Sequence, residues 1–150
     1  MMYGLINTFA VESEKVNDNF GFIRLWINSF CIGLWESTYL KPVILSLNRV
    51  TDYSACEELN IKSSTPKKIL AFILNNEERF EYTLLGLGES FEPFEIRAYL
   101  YQNEVVFIWR LNKKITDDAV LSFYEPFVVH HGIISQENYH SVLKKFGEAI

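Results

Sequence analysis

Cysteine is scarce in this chain. Cys31 and Cys56 are its whole supply and no Cys-x-x-Cys occurs, which points to a reduced, cytoplasmic protein. Long apolar runs are absent too. The longest, Ile69 to Leu74, is six residues, far short of the roughly 20 that a spanning helix needs, so no membrane helix is expected. The opening Met-Met-Tyr-Gly-Leu-Ile-Asn lacks a basic start and an apolar stretch, so no secretion signal is read there. Positive charge is in deficit: 14 Lys and Arg stand against 19 Asp and Glu, a net charge of −5. Phosphate binding needs a basic surface, so nucleic acid is disfavoured as a direct partner and a basic protein partner is favoured. Catalytic signatures are missing as well. There is no Gly-x-Ser-x-Gly, no phosphate loop and no His-Glu-x-x-His, which leaves no motif for the hydrolase, nucleotide-binding or zinc-protease classes.

What the chain has is apolar and aromatic content. Of its 150 residues 49% are hydrophobic and 15% aromatic, enough for one domain around one core. The organising stretch is Phe94 to Leu111, two strands joined at Gln102-Asn103. Folded there, Phe94 faces Leu111, Ile96 faces Trp109, Ala98 faces Phe107 and Leu100 faces Val105. The other face pairs Glu95 with Arg110, Arg97 with Ile108 and Tyr99 with Val106. A slip of one residue would turn Phe94, Ile96 and Trp109 into water, so the register is strongly specified.

Around this hairpin the periodicity predicts an α+β fold: an antiparallel sheet of about six to seven strands packed with about three helices, in a single domain spanning 1–150. Thr8 to Val16 alternates like a half-exposed or edge strand. Phe20 to Asn28 and Phe30 to Trp35 form a second hairpin about Asn28-Ser29. Both faces of that hairpin carry large apolar groups, so it is either covered twice or keeps one face for a partner. Leu40, Ile44, Leu47 and Val50 recur at helical spacing, with Pro42 in the first turn. Thr65-Pro66 starts a second helix over Lys67 to Asn75. Phe80 to Leu87 and Ala119 to Tyr124 read as strands, the latter interrupted by Pro126, and Phe127 to His131 as a short strand or an irregular segment. Ser135 caps a last helix ending at Phe146, with Gly147 as its stop and Lys144 and Lys145 in its last turn.

Candidate chemistry is thin. His130 and His131 point to opposite faces of any strand, and neither they nor His140 have a carboxylate or Cys at ligand spacing, so no metal site and no cofactor are expected. One packed and one exposed histidine is the simpler reading. Cys31, opposite Trp26 in an apolar strand, reads as a small buried hydrophobe. Adjacent acids usually mark solvated surface. Two acidic loops nonetheless suit docking of a basic protein: Glu89, Phe91 and Glu92 in one, Asp117 and Asp118 in the other.

The first fifty residues carry a more specific signal. Gly4 is followed by Phe9-Ala10-Val11-Glu12-Ser13-Glu14, then Gly21-Phe22, Leu25-Trp26-Ile27-Asn28 and Ile32-Gly33, then a helix with Leu40, Ile44 and Leu47. This order resembles the immunity protein 42 family of bacterial polymorphic-toxin and contact-dependent growth inhibition systems. Ser29-Phe30 stands where the family has a Gly turn, and Leu34 where an acid often follows the return Gly. The resemblance implies a small cytoplasmic protein without enzymatic activity, which binds a cognate toxin domain and blocks its active site or substrate groove. Many such toxins are nucleases, hence basic. The alternatives are a small-ligand-binding α+β module with a pocket between sheet and helices, and an enzyme relying on His130, His131 or His140.

Overall fold

The hairpin from Phe94 to Leu111 forms with the register read from its side chains, from Phe94 against Leu111 through to Leu100 against Val105. In the computed structural model, which describes residues 1–150, its strands are β6 (Phe94–Tyr101) and β7 (Glu104–Leu111). Six further strands are β1 (Met2–Leu5), β2 (Phe9–Lys15), β3 (Phe20–Ile27), β4 (Phe30–Ile32), β5 (Ser37–Tyr39) and β8 (His130–Ser135). The helices are α1 (Leu40–Arg49), α2 (Pro66–Leu74) and α3 (Gln136–Ala149). The fold is α+β with every strand pairing antiparallel. The strands number eight and divide into two sheets. One runs β1-β2-β3-β4 with β5 also on β3, and the other runs β6-β7-β8.

The two faces of the β6–β7 hairpin pack against different parts of the chain. Phe94, Ile96, Ala98, Phe107 and Trp109 face a main core shared with Phe9, Val11, Ile23 and Leu25 of the first sheet and with the apolar sides of α1 and α3. The opposite face of the same hairpin, Tyr99, Tyr101, Val106 and Ile108, is covered by Ile69, Leu70 and Ile73 of α2 and by Phe80. Full burial of each such side chain contributes about 1.5–3 kcal/mol. Helix α2 starts as its sequence predicts: Thr65 Oγ1 accepts from the Lys68 amide at 3.2 Å and Pro66 occupies the first turn. Ser135 Oγ caps α3 by accepting from the Asn138 amide at 3.2 Å. That helix runs through Gly147 to Ala149, so Lys144 and Lys145 lie short of its last turn.

Several strand expectations are corrected. β2 is an interior strand, because Met2–Leu5 pairs along its outer side. β3 and β4 pair as expected only from Ile27–Phe30 to Leu25–Ile32. Gly33 then takes φ +111° against the buried Phe91 ring, and the Leu34 amide donates to the Ser90 carbonyl at 2.7 Å. Pairing on β3 resumes at β5, where Phe22 meets Ser37 in place of Trp35. Phe80 to Leu87 is no strand. Its middle is a 3-10 turn, Glu81–Thr83, closed by the buried Thr83 hydroxyl donating to the Phe80 carbonyl at 2.7 Å, and its backbone pairs with β6 only at an isolated bridge, Leu84 to Arg97. Ala119 to Tyr124 is also a turn, because Asp118 Oδ1 accepts from the Val120 and Leu121 amides at 2.9 and 3.1 Å; a short acidic side chain competing for the backbone favours turns over ladders. Of the short strand or irregular segment expected over Phe127 to His131, residues 127–129 are irregular and a strand begins at His130, continuing to Ser135.

The sheets meet closely at Gly132. A Cβ there would lie 2.2 Å from Cγ2 of Ile27, a fully buried side chain with no room to yield. Gly132→Ala is therefore expected to cost about 1–3 kcal/mol, the usual range for overpacking a filled core. Urea unfolding checks this, and a loss below about 0.5 kcal/mol would mean that the sheets separate more easily than their packing implies.

Candidate docking surface

Both acidic loops leave the same end of the β6–β7 hairpin, since one enters at Phe94 and the other departs from its partner Leu111. Their side chains differ in what they offer. Glu89 and Glu92 are exposed, at the rim of an open hollow of about 380 Å³ that they share with Glu36 and Lys113. Phe91 between them is 4% exposed and packs beneath Gly33. The first loop thus presents carboxylates, while its aromatic belongs to the core. Asp117 is exposed, whereas Asp118 is half-buried and holds the 3-10 turn Leu121–Phe123.

A mainly apolar concave feature lies beside the second loop, and reasoning from the sequence did not find it. It is an open cleft of about 510 Å³ between the β3–β4 turn and residues 119–130. Trp26, Phe30, Val120, Phe123, Val128 and His130 make most of its wall, and Ser29 and Glu125 add polar groups. Phe123 is 87% exposed and the neighbouring Phe127 62%. Phe127 also sits at φ +66°, a conformation costly for a bulky side chain, held by its amide donating to the Leu111 carbonyl at 2.7 Å and by the Arg110 guanidinium 5.7 Å from its ring. The available signal was Pro126 between two phenylalanines, which interrupts any strand there.

The cleft continues onto the outer face of β3. Phe22, Arg24 and Trp26 remain half-exposed while Ile23, Leu25 and Ile27 are buried. Arg24 lies 4.7 Å from the Trp35 ring, and Phe22 stacks on that ring at 5.5 Å. Arg24 Nε and Trp26 Nε1 both donate to Glu12 Oε1 at 2.9 Å. Burial raises the Glu12 pKa, but these two hydrogen bonds and the nearby positive charges outweigh it and hold the carboxyl below its ordinary value. The aromatic rings are thereby fixed in place at the rim of the cleft.

Little of this is arranged for catalysis. Burial pushes the Cys31 thiol up to about 12, so it stays protonated and unreactive. His130 packs among Phe30, Trp109 and Tyr124, with ring centroids 4.5–5.8 Å away. Burial, with the charge of His131 as a smaller cause, lowers its pKa from the ordinary histidine value. His131 is exposed, and His140 Nε2 lies 3.5 Å from Gln136 Nε2. No group of three or more His, Cys, Asp or Glu side chains is placed to hold a metal ion. No helix is long and apolar enough to cross a membrane.

The two-sheet α+β architecture is shared end to end with a solved immunity protein of a contact-dependent growth inhibition system. That structure is CdiI from Burkholderia dolosa AUO158, similar with a TM-score of 0.68 and 13% sequence identity over 100% of both chains. At that identity the likeness establishes a common fold. No protein-family profile matches the sequence, and no curated protein matches it.

Proposed function

We propose that this chain is a cytoplasmic immunity protein that binds and neutralises a cognate bacterial toxin domain of a contact-dependent growth inhibition or related polymorphic-toxin system. The observation that carries the reading is the end-to-end fold likeness to CdiI. The resemblance of the first fifty residues to the immunity protein 42 family supports it from the sequence. The protein acts by covering the toxin's active site or substrate groove and performs no reaction of its own. Its net charge of −5 suits a basic toxin domain of nuclease type and disfavours direct contact with nucleic acid. The acidic loops contribute Glu89, Glu92 and Asp117 to docking, with Phe91 and Asp118 beneath them as supports.

The test is to search the gene's neighbourhood for a large secreted protein encoded upstream and to co-express its C-terminal domain with this chain. Cells are expected to survive only when this chain is present, and the purified pair to form a complex with a dissociation constant of about 10 nM or tighter. Killing that proceeds unchanged, with no complex by calorimetry, overturns the reading.

One observation favours a second reading. The cleft of about 510 Å³ has the size of a small-molecule site, roughly 300–1,000 Å³, so the chain would be a ligand-binding module. Its openness and the scarcity of convergent polar groups weigh against this. A compound retained through purification and identified by mass spectrometry would favour it.

A further inference from the structure

We infer that the cleft between the β3–β4 turn and residues 119–130 is the anchor pocket of the toxin interface, and that it takes an apolar or aromatic side chain flanked by lysine or arginine on the toxin surface. The inference rests on the immunity reading and adds to it the place and chemistry of the contact.

Three observations converge on it. The first is apolar surface in excess of what folding uses. Phe123, Val128 and Phe30 are all exposed and line the one cleft, and a concentrated apolar patch with a concave centre is the form of a protein-binding site. The second is charge. Residues 117–128 hold three carboxylates, Asp117, Asp118 and Glu125, and no lysine, arginine or histidine. Lys114, three residues before this stretch, turns its Nζ to the Ser122 and Tyr124 carbonyls at 2.5 and 3.0 Å, and Arg24 at the rim is paired with Glu12 Oε1 at 2.9 Å. An apolar centre with an acidic edge selects an apolar anchor with basic neighbours. The third is rigidity. The cleft floor is tied by Trp109 Nε1 donating to Tyr124 Oη at 3.1 Å, and by Tyr124 Oη donating to the Cys31 carbonyl at 2.8 Å. A preformed wall loses little side-chain freedom on binding, which favours slow dissociation.

The same charge argues against a second copy of this chain as the occupant. Two copies meeting at this face would bring Asp117 and Glu125 of one against those of the other, and like charges at a contact repel. The occupant is thus a partner of opposite edge charge.

The experiment compares wild type with Phe123→Ala and with the pair Phe123→Ala, Val128→Ala, using as probe the purified toxin C-terminal domain that the co-expression test identifies. Both side chains are exposed, so circular dichroism and melting temperature are expected to match wild type. Dissociation of the complex is expected to be at least tenfold faster for the double variant, with the association rate and its salt dependence unchanged. Amides of residues 119–128 are expected to gain protection from hydrogen exchange on binding. An affinity within twofold of wild type, or no added protection there, overturns the inference and leaves the immunity reading standing. Wild type that fails to bind the toxin domain overturns both. A free chain that is dimeric and becomes monomeric with Phe123→Ala, while toxin affinity is kept, assigns the cleft to self-association and overturns the inference. So does a small molecule lost on Phe123→Ala with toxin affinity unchanged.

Discussion

Replacing Trp109 with alanine is expected to cost about 3–5 kcal/mol of folding stability, the range for deleting a large aromatic from a filled core. The side chain is 0% exposed and lies where three parts of the chain meet. It pairs across β6–β7 with Ile96, stacks on His130 of β8 at 5.8 Å, and meets the Phe30 ring edge-on at 6.2 Å. Its indole N–H also supplies a hydrogen bond to Tyr124 Oη at 3.1 Å. Alanine therefore removes packing from both sheets and leaves a buried hydroxyl short of one partner. Domains of this size are stable by only about 5–15 kcal/mol, so the loss is at least about a fifth of the total. The melting temperature is expected to fall by roughly 6–20 °C. Trp109→Phe keeps most of the volume and isolates the hydrogen-bond share, about 1–2 kcal/mol. Urea unfolding of the two variants checks the division. Loss of less than about 1 kcal/mol in the alanine variant would show that the site collapses and that Trp109 does not join the sheets as described.

The same residue shows what was legible beforehand. The pairing of Trp109 with Ile96 followed from alternation alone, because only one register buries Phe94, Ile96 and Trp109 together. The α+β class, the start of α2 at Thr65-Pro66 and the Ser135 cap were legible for a similar reason: each is a local device with one good physical solution. The division into two sheets was not legible. It depends on which faces meet across the core, as at Phe9 and Phe107, whose rings stack at 6.0 Å. Nothing within either strand specifies that partner.

The misread segments share one cause. Phe80 to Leu87 and Ala119 to Tyr124 alternate well enough to pass for strands, but in each a short polar side chain bonds the nearby backbone. Thr83 turns back to the Phe80 carbonyl, and Asp118 takes the Val120 and Leu121 amides. Such a bond outcompetes a ladder that has no partner strand waiting. β1 escaped notice because four residues carry too little pattern to stand apart. The cleft was invisible for a further reason. Its walls come from residues 26–31 and 119–130, and only the tertiary fold brings these together. Acidic composition was visible from the start, but the burial of Phe91 and the capping duty of Asp118 separate the acids that are free to meet a partner from those that are not.

Reversing the free carboxylates is expected to slow toxin association by roughly ten- to a hundredfold at low salt. The informative variant is Glu89→Lys with Glu92→Lys and Asp117→Lys. Asp118 is left intact, because its carboxylate holds the turn under the cleft and its loss would confound folding with charge. Three reversals take the net charge from −5 to about +1 by the difference of two charges per substitution, which removes the long-range attraction that steers a basic partner. Exposed edge charges set encounter rate more than residence time, so dissociation is expected to change by less than about threefold. The dependence of the association rate on ionic strength should flatten or invert, since screening then relieves repulsion in place of weakening attraction. Stopped-flow association over a salt series reads all three quantities. Unchanged kinetics in the triple variant would move the docking charges elsewhere on the surface. A faster dissociation with an unchanged association rate would recast these acids as buried contacts, a role their exposure does not suit.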